Sequence, residues 1–202
     1  MINTNDLPAI QYTVWPADLH GHRFQVKLHI AHPDPNGQVV QMPAWIPGSY
    51  LIRDFSKQIE TIAAYSVAPT KKEIALERID NNQWRLPSNI SGPVDILTTV
   101  YAFDNSVRAA YLDTERGFFN ATSLCLSVKG QENIPCSLAL ISPNNVSAES
   151  WTVQTSLRKV KTDDRGFGFY LAKNYDDLID HPVAIGEFQM VEWISNHLPH
   201  RM

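Results

Sequence analysis

Cysteine is scarce in this chain. Cys125 and Cys136 are the only two in 202 residues, where a disulfide-built domain of this size carries more. They read as buried free thiols, with a bridge as the lesser alternative. Basic charge is also short: Lys and Arg total 17 against 21 Asp and Glu, a net charge of -4. That leaves no cationic footprint for nucleic acid. No apolar run is long enough to span a bilayer. Met1-Ile2-Asn3-Thr4-Asn5-Asp6 has neither the basic start nor the apolar core of a secretory signal. A cytoplasmic location is therefore expected, with neither a nucleic-acid nor a membrane partner.

Catalytic motifs are missing as well. Zinc hydrolysis on a helix needs His-Glu-x-x-His, because residues four apart project from one face toward the metal. The histidines are His20, His22, His29, His32, His181, His197 and His200, and glutamate follows none of them. His20-Gly21-His22 reads as a turn entering a strand, and His197-Leu198-Pro199-His200 contains a proline that spoils a helical pair. There is no Gly-x-Ser-x-Gly elbow, no phosphate loop and no Gly-x-Gly-x-x-Gly. Gly166-Phe167-Gly168 follows a charged turn and reads as a hairpin. No catalytic residue, metal ligand or cofactor is assigned to this chain. Asn120-Ala121-Thr122 and Asn145-Val146-Ser147 match the N-glycosylation triplet, a pattern frequent by chance.

Helical periodicity is scarce too. Tyr175 to Ile179 reads as one short helix, with Asn174 as N-cap, acidic residues in its first turn and His181-Pro182 as its stop. Leu51 to Gln58 has room for another helical turn. What the chain does contain is alternation. In His22-Arg23-Phe24-Gln25-Val26-Lys27-Leu28-His29-Ile30 the apolar residues fall on every second position, the period of a half-buried strand. Val94 to Ala102 is a second long strand, apolar on both faces as a central strand is. Shorter candidates are Ile10 to Trp15, Gln38 to Met42, Gln58 to Ser66, Glu73 to Ile79, Gln83 to Leu86, Ser123 to Val128, Ser137 to Ile141, Trp151 to Gln154, Gly168 to Ala172 and Val183 to Val191. Turn residues such as Pro33-Asp34-Pro35-Asn36-Gly37 and Asp163-Asp164-Arg165-Gly166 separate them. The pattern predicts an all-β fold, an antiparallel β-sandwich of many short strands with one or two short helices, in a single domain over residues 1–202.

The most informative stretch is Pro43-Ala44-Trp45-Ile46-Pro47-Gly48-Ser49-Tyr50-Leu51-Ile52-Arg53-Asp54-Phe55. Pro47-Gly48 predicts a sharp turn. Apolar and aromatic residues flank it, where a solvated loop is polar, so the loop is expected to be pinned. Two further segments are rich in aromatic, amide and arginine side chains: Tyr101 to Asp113, and Arg116 to Leu124. They read either as strand, connection and strand with Phe118 and Phe119 in the core, or as a surface placed over a partner.

Together these segments resemble one family. Trp45 to Phe55 resembles the hallmark of the N-terminal domain of the glycyl aminopeptidase family of zinc metallopeptidases. Val107-Arg108-Ala109-Ala110-Tyr111-Leu112-Asp113 with Gly117 to Leu124 is similar to the family's middle segment, and Tyr175 to Phe188 to its closing one. The family commonly has Ser at the position of His181 and Gly at that of Ala121. The resemblance runs from about Gln11 to Met202. It implies a noncatalytic N-terminal domain excised or truncated from a longer peptidase that removes N-terminal Gly or Ala from peptides. A thermolysin-like catalytic domain of the same polypeptide, holding the zinc and the general base, would be its partner, usually with a PDZ domain after it. Peptide would be the substrate of the intact enzyme. By the same resemblance, Tyr50, Phe119 and Asn120 are candidates to approach the cleft, and Trp45 and Arg53 to hold the loop; all five alternatively support the sandwich or the interdomain contact. A stand-alone β-sandwich module binding peptide or carbohydrate is the alternative function. A self-sufficient hydrolase is disfavoured by the missing motifs.

Overall fold

A computed structural model describes residues 7–46, 48–67, 70–144, 148–189 and 191–201. Strands form from most of the expected segments and from others that were not expected. They are β1 (Ile10–Asp18), β2 (Arg23–Ile30), β3 (Val39–Gln41), β4 (Ile59–Ser66), β5 (Glu73–Ile74), β6 (Glu77–Asp80), β7 (Gln83–Arg85) and β8 (Val94–Tyr101). The second half contributes β9 (Ala110–Leu112), β10 (Arg116–Phe119), β11 (Ser127–Val128), β12 (Cys136–Leu140), β13 (Thr152–Thr155), β14 (Arg158–Thr162) and β15 (Gly168–Ala172). An α-helix, α1 (Tyr175–Ile179), precedes β16 (Val183–Gly186), β17 (Glu192–Ser195) and β18 (Leu198–Arg201). The fold is all-β.

An eight-stranded sheet runs in the order β14-β15-β12-β1-β2-β8-β4-β5. Two four-stranded sheets, β13-β16-β10-β9 and β11-β3-β7-β6, complete the sandwich, and β17-β18 stands as a separate hairpin. Among the described residues pairing is antiparallel except between β1 and β12, which run parallel. Register explains the core. Tyr12 lies opposite Leu28, and Leu28 opposite Ile96, so Ile10, Tyr12 and Val14, Phe24, Val26, Leu28 and Ile30, and Val94, Ile96 and Val100 share one face. All of these are buried. The smaller sheets close over that face: Phe24 meets Phe119 edge-on with centroids 5.5 Å apart, and the Tyr12 hydroxyl donates to the Leu126 carbonyl at 2.8 Å. One contiguous core draws on all three sheets.

Several sequence expectations are redrawn. Ser123 to Val128 is not one strand. Ala121–Ser123 is a turn of 3-10 helix, because the Asn120 and Ala121 carbonyls accept from Ser123 N and from Leu124 N and Cys125 N; only Ser127–Val128 pairs. Glu73 to Ile79 breaks into β5 and β6, which lie in different sheets. Val183 to Val191 stops at Gly186, whose φ of 154° few other residues adopt. β14 was not expected: it is the exposed outer strand of the large sheet and its sequence is Arg-Lys-Val-Lys-Thr. The helix is as expected, with the Asn174 side chain accepting from Asp177 N at 2.8 Å, and Phe55–Gln58 forms a 3-10 turn. Cys125 and Cys136 are free and buried. Burial pushes both thiols up, Cys136 to about 12.

Candidate functional site: a braced loop facing an open cleft

Between β3 and β4 the chain leaves the core at Met42 and re-enters it at Phe55, both buried. Arg53 N donates to the Ala44 carbonyl at 2.6 Å and closes the neck of the intervening loop. Inside the neck, Ser49 N donates to the Ile46 carbonyl at 3.1 Å. Gly48 in that turn has φ 79°, the left-handed value the third position of a type II turn demands. A Cβ there would meet nothing within 4 Å, so the glycine answers a backbone requirement. Pro47, the other half of the expected turn, lies outside the described residues.

Ser49 is the hub of the loop. Its carbonyl accepts from Trp45 Nε1 at 2.8 Å, and its hydroxyl donates to the Leu51 carbonyl at 3.0 Å. The same hydroxyl accepts from Leu51 N at 3.3 Å and Arg53 Nε at 3.4 Å. Trp45 and Arg53 thus hold the loop, as expected of them, but through a serine the sequence reading passed over. Its only sequence signal was its place directly after Pro47-Gly48. Braced this way, the loop still leaves its apolar tip uncovered. Tyr50 is fully exposed, Leu51 is 65% exposed and Ile52 84%.

Across from the loop lies the connection from Phe103 to Ala109. Asp104 N donates to the Ala110 carbonyl, Ala109 N to that of Ser106, and Asn120 N to that of Ala109. Asn120 is buried and its Nδ2 donates to the Val107 carbonyl at 2.6 Å. Phe119, beside it, is wholly enclosed. Neither side chain presents a free surface here; they hold the wall from behind. Aromatic stacking secures the outside. Phe103 lies between His22 and Tyr111, with centroids 3.9 Å and 5.3 Å away, and the Arg116 guanidinium covers Tyr111 at 5.1 Å. Tyr111 donates its hydroxyl to Asp113 at 2.8 Å. Burial opposes ionisation of Asp113, but the N–H groups of Arg116 and Glu115 and the Tyr111 hydroxyl outweigh it and hold the carboxyl below its ordinary value. That hydrogen bond pushes the Tyr111 phenol up.

Between the two walls is a cleft of about 270 Å³, bordered by Leu51, Ile52, Arg53 and Phe55 on one side and by Asp104, Ala109 and Ser123 on the other. It carries two kinds of chemistry: apolar contact area from the loop tip, and charge from Arg53, Lys57, Asp54 and Asp104. Among the described residues no group of three or more His, Cys, Asp or Glu side chains is arranged to hold a metal ion. Of the five candidates, Trp45, Tyr50 and Arg53 belong to one loop, while Phe119 and Asn120 stand inside the facing wall. His181, at the position where the family commonly has serine, bridges two elements on its own: its Nδ1 lies 2.7 Å from Ser156 Oγ and its Nε2 3.7 Å from Asp177 Oδ1.

Fold and site together define an all-β domain that presents a stiff, uncovered apolar edge beside a shallow charged cleft. Comparison with known proteins identifies it further. The sequence profile of the peptidase M61 N-terminal domain matches residues 11–187, and the chain belongs to that family. A solved structure described as an aminopeptidase N family protein from Idiomarina loihiensis is 43% identical, with a TM-score of 0.87. That match covers 95% of this chain and 32% of the Idiomarina protein; the chain spans about a third of its length. An M1 zinc metallopeptidase from Deinococcus radiodurans matches at 6% identity and a TM-score of 0.49, over 94% of this chain and 44% of that one. No curated protein matches.

Proposed function

We propose that this chain is the noncatalytic N-terminal domain of a zinc-dependent aminopeptidase that removes N-terminal glycine or alanine from peptides. The domain packs on a catalytic domain of the same polypeptide and helps wall the substrate cleft. One observation carries this reading: the loop from Ala44 to Arg53 is braced internally by Ser49, yet Tyr50, Leu51 and Ile52 face solvent. Exposed apolar side chains on a preorganised support are the materials of an interface, because the ordering cost falls before the partner arrives. Tyr50 then touches the catalytic domain or the substrate. Trp45 and Arg53 keep the loop in shape, and Phe119 and Asn120 keep the opposite wall in place. Zinc, in this reading, is held by the catalytic domain.

The test compares the longest polypeptide encoded with this chain at its N-terminus against the 202-residue chain, using glycine- and alanine-terminated chromogenic amides. Turnover is expected from the longer polypeptide alone. Ile52→Asp combined with Tyr50→Ser should lower its kcat/KM while the isolated domain keeps its melting temperature. A longer polypeptide that cleaves neither amide refutes the reading, as does a double variant with unchanged turnover.

A further inference from the structure

The connection from β13 into β14 and the chain around α1 face each other across a second cavity, of about 520 Å³. Each wall is fixed from behind. On the first, Leu157 is buried in the core, and alternation along an extended chain turns its neighbours Ser156 and Arg158 outward together. On the second, Tyr175 is buried and its hydroxyl donates to the Cys125 carbonyl at 2.7 Å. Lys173, Asp177 and His181, spaced four apart along the helix and its flanks, come to one side of it. All five residues border the cavity, whose apolar part is Leu171 and Pro135.

The charges around it are unequally matched. Asp177 is answered on both oxygens: Oδ2 accepts from Lys173 N at 2.9 Å, and Oδ1 lies 3.7 Å from His181 Nε2. His181 in turn places Nδ1 2.7 Å from Ser156 Oγ, which ties the two walls together. When Nδ1 donates in that contact, the serine O–H is free for a further acceptor. The cations are not answered. Among the described residues neither the Arg158 guanidinium nor the Lys173 ammonium has a carboxylate or hydrogen-bond partner. The chain has 21 acidic side chains against 17 basic ones, so its composition does not favour two unpaired cations at one cavity. Lys159 and Lys161 are a different case. They flank a register shift in β14, and lysines beside such an irregularity keep an outer strand from pairing with another chain. Neither borders the cavity. Edge protection therefore accounts for these lysines and leaves Arg158 and Lys173 unexplained.

We propose that this cavity binds a small molecule with one anionic head, carboxylate or phosphate, and a short apolar body. Arg158 and Lys173 hold the head, with Ser156 as a further donor, and the body rests on Leu171 and Pro135. Arg158 suits either head, because its planar fork matches two oxygens of a carboxylate or of a phosphate. The site is independent of the loop from Ala44 to Arg53 and of the function proposed for it.

Amide chemical shifts of the 202-residue chain, titrated with benzoate, phenyl phosphate and benzyl alcohol, test this. Saturable shifts at residues 156–158, 173 and 181 are expected from benzoate, phenyl phosphate or both, with benzyl alcohol inert; whichever anion saturates identifies the head. Arg158→Ala and Lys173→Ala should each weaken binding at least ~10-fold, as the loss of a charge-assisted contact does. Lys159→Ala, on the same strand but away from the cavity, should leave it unchanged. All three side chains are exposed, so these variants keep the fold. No saturation by about 10 mM of either anion overturns the inference. Benzyl alcohol shifts equal to those of the anions also overturn it, since the cavity would then be merely apolar. So does a Lys159→Ala loss equal to that of Arg158→Ala, which would reduce binding to attraction by a basic strand.

Discussion

Asn120→Ala separates a wall-supporting role from a substrate-touching one. In the native domain Asn120 Nδ2 reaches the Val107 carbonyl at 2.6 Å across a sequence separation of 13. The Asn120 backbone is anchored independently, its N–H on Ala109 and its carbonyl accepting from Ser123 N and Ser123 Oγ. Alanine removes the tether and keeps the backbone bonds. Val107 has an exposed side chain, so water can reach its carbonyl and replace the lost donor. The cost is therefore that of one neutral hydrogen bond, about 1 kcal/mol, and not the larger penalty of a stranded buried acceptor. For a domain of this size that is a fall in Tm of roughly 2–4 °C. Asn120→Asp should cost more, because it faces the Val107 carbonyl with oxygen alone. Urea denaturation at 25 °C reads the stability, and hydrogen exchange reads the loosening of residues 104–110. If Asn120→Ala leaves both unchanged, the tether does not hold this wall. If stability falls but kcat/KM of the longer polypeptide is untouched, Asn120 acts by support and never by contact with substrate.

Gly168→Ala should cost about 3 kcal/mol or more in urea denaturation, since φ is 138° and the new Cβ would lie 2.2 Å from the Lys161 carbonyl oxygen. Cys125 and Cys136 should resist thiol reagents in the native domain, both being buried and their thiolates disfavoured, and both should react once the domain is unfolded; native labelling at the unfolded rate would contradict that burial. Asp113 is held below its ordinary carboxyl value, so its stabilisation is present above about pH 4 and is lost as pH falls through the lowered folded value. Asp113→Asn should therefore shrink the stability difference between pH 7 and pH 3.

Legibility followed burial geometry. β1 and β2 were readable because one face is buried and the other only partly, which leaves a clean period of two in Phe24, Val26, Leu28 and Ile30; β8, expected to be apolar on both faces, alternates in burial in the same way. Where both faces are buried the period disappears. Every residue from Ala121 to Val128 is enclosed, so a 3-10 turn and a short strand look alike in sequence. Where neither face is buried the signal also fails, and β14 went unread because an outer strand needs no apolar row. The same logic applies to the site. The loop from Pro43 to Phe55 stood out because its aromatics contradict an ordinary loop. The bonds of Ser49 did not, because a serine after Pro-Gly is unremarkable until its partners are placed. Phe119 was ambiguous in principle, since a core and a recognition surface use the same aromatic residues.

The bracing of the loop has an energetic consequence that its composition alone does not. Tyr50, Leu51 and Ile52 are exposed, and burying side chains of this size yields roughly 1.5–3 kcal/mol each. Three of them, spent between separate molecules, are barely enough to offset the lost translational and rotational freedom. Between domains of one polypeptide that cost is largely removed by the covalent link, and a small contact suffices. A floppy loop would lose part of the gain to its own ordering. Ser49 prevents this by fixing the loop through Trp45, Leu51 and Arg53 before any partner is met. A surface of so few apolar residues is thus too weak to recruit a free partner and well matched to a tethered one. This is the energetic basis on which the proposed function places a tethered domain, and not a ligand arriving from solution, against the loop.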